Sequence, residues 1–317
     1  MKEAALKLWT EKGWINIFPK TKAELVQLSN GRSVAEVLDS INLTNGEGEN
    51  SLQQKGVSID KSPKAIGLGS VAFGGFRGDK PNEQPTDEDR TTTAEGIQSV
   101  AFGAGNYAHG HWDFVAGKDN NTYQKNSTAF GGKNIAGDSN GNQDDYSFAF
   151  AIGEENTVTG RGSFGGGKQN TITGNYTLVN GRENTVSSTH GIVAGIKNNV
   201  NGEANAVFGA NQTVTAGNTF ATGDHNTVNK YGSNALGSYL MTAGYWQTVF
   251  GELNVANPDA KFIVGCGSDG TRKNGFLVMK DGRAKVSGKP KEANDVVRKL
   301  DLENYVTNFL KAKGLIS

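Results

Sequence analysis

Residues 181–218 read GRENTVSSTHGIVAGIKNNVNGEANAVFGANQTVTAGN, and the line repeats itself. Gly181, Gly195 and Gly209 recur every fourteen residues, and Asn184, Asn198 and Gln212 follow them three places on. Counting outward, the register holds through Gly153, Gly167, Gly223, Gly237 and Gly251 and reappears earlier at Gly103, Gly117 and Gly131. Two places after each Asn or Gln stands a branched aliphatic residue: Val158, Ile172, Val186, Val200, Val214 and Val228. Fourteen residues rich in glycine and β-branched side chains are too few, and of the wrong kind, for a pair of helices. Two short strands with turns between them fit that length. The reading is a mainly β, parallel β-roll solenoid, with equivalent strands ~4.8 Å apart.

The two strands of a unit differ. In the NTVTG type only the Val faces inward, between polar neighbours, as when one face meets water. The strand before each glycine is apolar on both faces. Two places before the glycine stand Ala151, Gly165, Val179, Val193, Val207, Ala221, Ala235 and Val249; on either side come Phe150, Phe164, Ile192, Phe208, Phe220, Leu236 and Phe250. A coil this thin has one interior, so the second apolar face calls for another chain. Self-association along the solenoid is therefore expected.

Composition agrees with a thin-cored fold. Glycine supplies 44 of 317 residues, about twice the usual ~7%. A formal net charge of zero leaves no basic surplus for nucleic acid. The single Cys266 excludes an intramolecular disulfide and a cysteine-based metal site. MKEAALKLWTEKGW lacks the apolar core of a secretion signal, and no run approaches ~18 apolar residues, so folding in a cytoplasm without membrane insertion is expected.

The strings SVAFGAGNYAHG, STAFGGKNIAG and NAVFGANQTVTAGN resemble the head repeats of trimeric autotransporter adhesins. That resemblance, over roughly residues 65–255, implies a homotrimeric left-handed parallel β-roll with the apolar strands inside. The ends differ from that family and are similar to bacteriophage fibre and baseplate proteins: TKAELVQLSNGRSVAEVLDSI near the start, FIVGCGSDGTRKNGFLVMKDGRAKVSG and NDVVRKLDLENYV near the end. The implied plan is an N-terminal attachment or trimerisation region with short helices (1–45), a linker (46–64), the roll (65–255, with insertions about 76–93 and 137–146), a small β cap (256–290) and a C-terminal helix (291–317). Capping boxes at Thr21–Glu24 and Ser33–Glu36 mark the N-terminal helices, and Trp9, Trp14, Ile17 and Phe18 precede them as an aromatic cluster. Asp295 caps the last helix, striped by Leu302, Tyr305, Val306 and Phe309 and stopped at Gly314.

Chemistry-bearing residues are few. His109 and His111 would share a strand face, but His190 and His225 stand far off in sequence and no spacing completes a metal set. Asp138, Asn140, Asn142, Asp144 and Asp145 have calcium-type ligands without an EF-hand layout. The adjacent pairs Asp144–Asp145 and Glu154–Glu155 point to opposite faces in a strand, unlike glycosidase carboxylates. Arg77–Asp79 form an RGD triplet in a charged loop. Neither a catalytic site nor a cofactor or metal site is expected. The expectation is a trimeric virion protein, made in the bacterial cytoplasm, projecting from tail or capsid and attaching to host-surface glycan or protein. A capsid decoration fibre or baseplate spacer without a receptor, and a polysaccharide depolymerase, are the alternatives. Trp112, Tyr123 or Trp246, if exposed in a concave loop cluster, would favour sugar binding over a spacer role.

Overall fold

The computed structural model describes residues 6–10, 13–17, 43–54, 63–74, 91–142, 144–288, 291 and 299–316. It is mainly β, a parallel β-solenoid of about twelve turns with one short C-terminal helix. The chain divides into two compact units, Met1–Lys133 with Ser139–Tyr146, and Asn134–Asp138 with Ser147–Ser317.

In the first unit, Leu6–Thr10 and Gly13–Ile17 make an antiparallel hairpin with Trp9 opposite Trp14. The coils then stack five-residue strands in parallel, Val100–Ala104 beside Phe114–Lys118 and that beside Thr128–Gly132. A second ladder holds two-residue strands, Lys64–Ala65, Thr93–Ala94, Tyr107–Ala108 and Asn121–Thr122. Residues 46–64 are not wholly a linker. Leu52–Gln54 pairs in parallel with Val71–Phe73 and antiparallel with Leu43–Asn45. The buried Ser51 hydroxyl donates to the Ala65 carbonyl at 3.0 Å, tying this turn to the next coil. The helices expected from Thr21 and Ser33, and Phe18, lie outside the described residues, as does Asp295.

The second unit repeats the scheme from Phe150–Glu154 to Thr248–Glu252. Phe150 pairs with Phe164, Gly153 with Gly167, and Val193 with Val207. Ala260–Cys266 continues this sheet in parallel, and Asn274–Met279 and Ala284–Val286 close it antiparallel. A closing hairpin of this kind covers the open edge that a parallel ladder otherwise presents. Lys299–Ala312 is helical.

Three features of each coil explain the sequence pattern. The residue two before each glycine is the core: Ala151, Val179, Val193, Val207 and Val249 are fully buried, opposite Val158, Val186, Val200 and Val228. Each glycine takes a left-handed φ, +114° at Gly153, and lies against the next one; a Cβ there would sit 1.9 Å from the Gly167 carbonyl oxygen. No other residue fits both conditions. The Asn three places on points inward. Asn170 Nδ2 donates to Asn156 Oδ1 and to the carbonyls of Gly166 and Gly181, each at 2.9 Å. Its own Oδ1 accepts from the backbone N–H and Nδ2 of Asn184. Buried amides thus run as a ladder through the coils and satisfy the backbone at each turn.

A second corner carries a matching row of buried polar side chains. Ser163 Oγ donates to the Gly174 carbonyl, Thr177 Oγ1 to that of Ser188, and Ser233 Oγ to that of Gly244. Asp113 holds this position in its coil. Its two oxygens accept from the Gly110 and Ser127 backbone amides at 2.9 and 2.8 Å, yet burial pushes its pKa up to about 7 against those hydrogen bonds.

Candidate binding surfaces

With the interior filled, the outward face of the long strands stays uncovered. In the second unit Ile152, Leu178, Ile192, Ile196, Phe208, Phe220 and Phe250 are 36–47% exposed. Phe150 stacks on Phe164 at 5.2 Å, and Phe208 packs against Phe220 at 6.1 Å. The first unit has its own file, Phe73 on Phe102 at 5.4 Å and Phe114 against Phe130 at 5.1 Å. Taking a fully exposed side chain of this size as roughly 200 Å², the seven residues of the second unit present on the order of 600 Å² of apolar surface. That reaches the upper end of the largest patch a soluble monomer usually shows. The helix adds a stripe of its own, with Leu302, Tyr305, Val306 and Phe309 all exposed.

The outward face of the short strands is different. Through the second unit it presents hydroxyls and amides, Thr157, Thr171, Thr185, Asn199, Thr213 and Thr227, in register along the ladder. The first unit breaks this rank with Glu95, Tyr107, His109 and Tyr123. The Tyr107 hydroxyl donates to Glu95 Oε2 at 2.9 Å, and His109 Nδ1 lies 2.7 Å from the same oxygen. The His109 ring sits between those of Tyr107 and Tyr123, with centroids 4.1 and 5.2 Å away. Burial, then Glu95, pushes the Tyr107 pKa up to about 12, and burial lowers that of His109 despite the carboxylate. Beside this stack lies an open cleft of about 270 Å³ lined by Lys64, Ile66, Thr91, Thr93 and Tyr107.

Within each unit, the residues singled out in the sequence engage different partners. His109 and His111 do not share a site. His111 Nδ1 accepts from the Ile97 amide, and its Nε2 lies 3.6 Å from Asp144. Asp144 itself pairs with Lys125 at 3.0 Å, which holds its carboxyl below the usual range. His190 stacks on Tyr176, and His225 on Tyr239 while pairing with Asp224. Asn142 Oδ1 accepts from the Asp144 amide, a local turn contact. Among the described residues no group of three His, Cys, Asp or Glu side chains is arranged to hold a metal. Glu154 and Glu155 are each engaged along the ladder, by Lys168 and Gln169 at 2.8 Å. The RGD triplet at 77–79 lies outside the described residues. Trp112 stands at a coil corner, donating to Gln98 and lying under the Lys125 ammonium, whereas Tyr123 belongs to the His109 stack. Trp246, in the second unit, lies against Tyr231 and over Gly232.

Sequence reasoning missed the Glu95–His109–Tyr123 row, although the signal was available: these positions are fourteen residues apart and become neighbours once the period is applied. No family model matches the chain, and no curated protein matches it.

Proposed function

We propose that the chain is the subunit of a homotrimeric, fibrous virion protein, in which the fourteen-residue coil is the repeating unit and three rolls pack through their long-strand faces. The observation that carries this reading is the uncovered apolar face on coils whose interiors are already full. Burying ~600 Å² per chain in the second unit alone would contribute on the order of 15 kcal/mol gross, enough to offset an association cost of ~4–15 kcal/mol. Lys168 and Arg182 end their long strands, and Glu183 and Lys197 lie just past strand ends. The ion pairs Lys168–Glu154, Arg182–Glu183 and Lys197–Glu183 supply polar groups beside that face, as an interface rim would. The exposed stripe of Lys299–Ala312 has the spacing for a short three-helix bundle, which would add a second point of registration.

In this arrangement the short-strand faces look outward, and each binding feature is present three times. Weak single contacts to a host surface would then sum through multivalency. The function is mechanical and adhesive: a stiff projection of a phage particle that meets the host surface. The test is cryo-electron microscopy of purified particles with this chain traced into density. A trimeric roll projecting from the tail supports the reading; a roll lying flat on the capsid removes the adhesive part of it, and its absence from the particle removes the virion part.

A further inference from the structure

Resting on the adhesive reading, we propose that the cleft between Lys64 and Tyr107 binds one acidic monosaccharide unit, a sugar ring bearing a carboxylate, of a surface glycan. The cleft arises from the ladder itself. Lys64, Thr93 and Tyr107 are register partners on three successive short strands, so Thr93 is a low point between two long side chains. Two strand spacings separate the long ones, roughly 9–10 Å. Thr93 itself is only 5% exposed, so a pyranose ring would lie over it against the Lys64 and Tyr107 side chains rather than reach down to the strand. The volume of about 270 Å³ suits one such ring with its substituents.

The lining supplies the chemistry a carboxylated sugar needs. Tyr107 offers an aromatic wall for the C–H face of the ring, and Ile66 extends the apolar side. Thr91 brings a hydroxyl, the Thr93 hydroxyl donates to the Thr91 carbonyl at 3.2 Å, and Lys64 brings a cation with no ion pair among the described residues. The wall is rigid: Glu95 holds the Tyr107 hydroxyl, and His109, itself backed by Tyr123, packs on the ring. A preorganised wall avoids the ordering cost that makes weak sugar sites weaker. One cation and one aromatic face do not suit a nucleotide or a polyphosphate, which carry several charges. A neutral sugar would leave the Lys64 charge unused.

The experiment uses the full-length protein with glucuronate- and sialate-terminated oligosaccharides and their neutral counterparts, read by saturation-transfer NMR and calorimetry. Binding of the acidic sugars at millimolar affinity, with neutral sugars at least tenfold weaker, is expected. Lys64→Ala should cost the acidic preference, Tyr107→Ala should abolish binding, and Tyr107→Phe should keep the wall and retain most of it. Thermal melts of each variant distinguish loss of the site from loss of the fold. Acidic sugars that bind equally well to Lys64→Ala and Tyr107→Ala, or that do not bind at all, would refute the site. Adsorption of the labelled protein to a panel of bacterial cells separates the two claims. Adsorption that persists in both variants sinks the cleft and leaves adhesion standing, whereas no adsorption by the unaltered protein sinks both.

Discussion

Gln212 stands where the buried amide ladder has an asparagine, and the structure says it is the wrong length. Asn198 accepts from the Gln212 backbone amide at 3.0 Å, as each rung does from the next. The Gln212 side-chain oxygen and nitrogen, however, are buried and find no partner among the described residues. An ordinary rung such as Asn170 makes three donor contacts and two acceptor contacts with the same groups. The extra methylene carries the Gln212 amide past those positions. Leaving a buried polar group unpaired costs ~1–3 kcal/mol. Removing one methylene from the core gives back ~0.8 kcal/mol of burial. Net of that lost burial, Gln212→Asn should stabilise the protein by about 1 kcal/mol per chain, raising Tm by roughly 2–4 °C if the coils melt as a unit of 150–250 residues. The reverse change, Asn170→Gln, inserts a methylene and breaks an intact rung; it should cost about 2–4 kcal/mol. Guanidinium melts of both variants, with hydrogen exchange at the Asn226 and Thr227 amides, read the effect globally and at the neighbouring coil. A neutral or destabilising Gln212→Asn, alongside a harmless Asn170→Gln, would refute the ladder as a source of stability.

Other outcomes follow from the same geometry. Gly195→Ala places a methyl 1.7 Å from the Gly209 carbonyl oxygen at φ +142° and should abolish folding of those coils. Gly282→Ala, with nothing within 4 Å at φ +83°, should cost only about 1 kcal/mol, both read by circular dichroism. Asp113 has a folded-state pKa raised to about 7 from an ordinary 3.8, so the folded chain binds its proton more tightly than the unfolded one. Its contribution is greatest below pH 4 and is lost as pH rises through 7, on the order of 2–4 kcal/mol; Asp113→Asn should flatten that slope in melts between pH 4 and 8. Phe208→Glu and Ile192→Glu on the outward face should lower the oligomeric mass while leaving the β spectrum of the chain, whereas Val207→Asp, in the filled interior, should unfold it.

The fold was legible because its period is short and its core positions are simple. Val179, Val193 and Val207 recur in register, and their neighbours Ile192 and Phe208 announce a second apolar face that the structure leaves uncovered. The Asn three residues after each repeat glycine was visible as a pattern, but its role required knowing that the side chain turns inward and bonds to the coils before and after its own. The second polar corner was harder, since serine, threonine, aspartate, asparagine and glutamine all serve there: Ser163, Thr177, Asp113, Asn205 and Gln247 share a position but no chemistry a regular pattern could carry. The first turn at Leu52–Gln54 was hidden by its polar sequence. Only its pairing with Val71–Phe73 makes it part of the roll. The cleft beside Tyr107 was invisible for a related reason. It depends on one small residue, Thr93, falling between two long ones on adjacent coils, and the charged insertion after Gly74 obscures that register.

The central claim is that the uncovered long-strand face is covered by two further copies of the same chain. Sedimentation equilibrium of the purified full-length protein at micromolar concentration measures this directly. The account predicts a single species of about 100 kDa, three times the 33.5 kDa chain, that persists on dilution. A stable 33.5 kDa monomer with its phenylalanine face open to solvent, or a dimer, would contradict it.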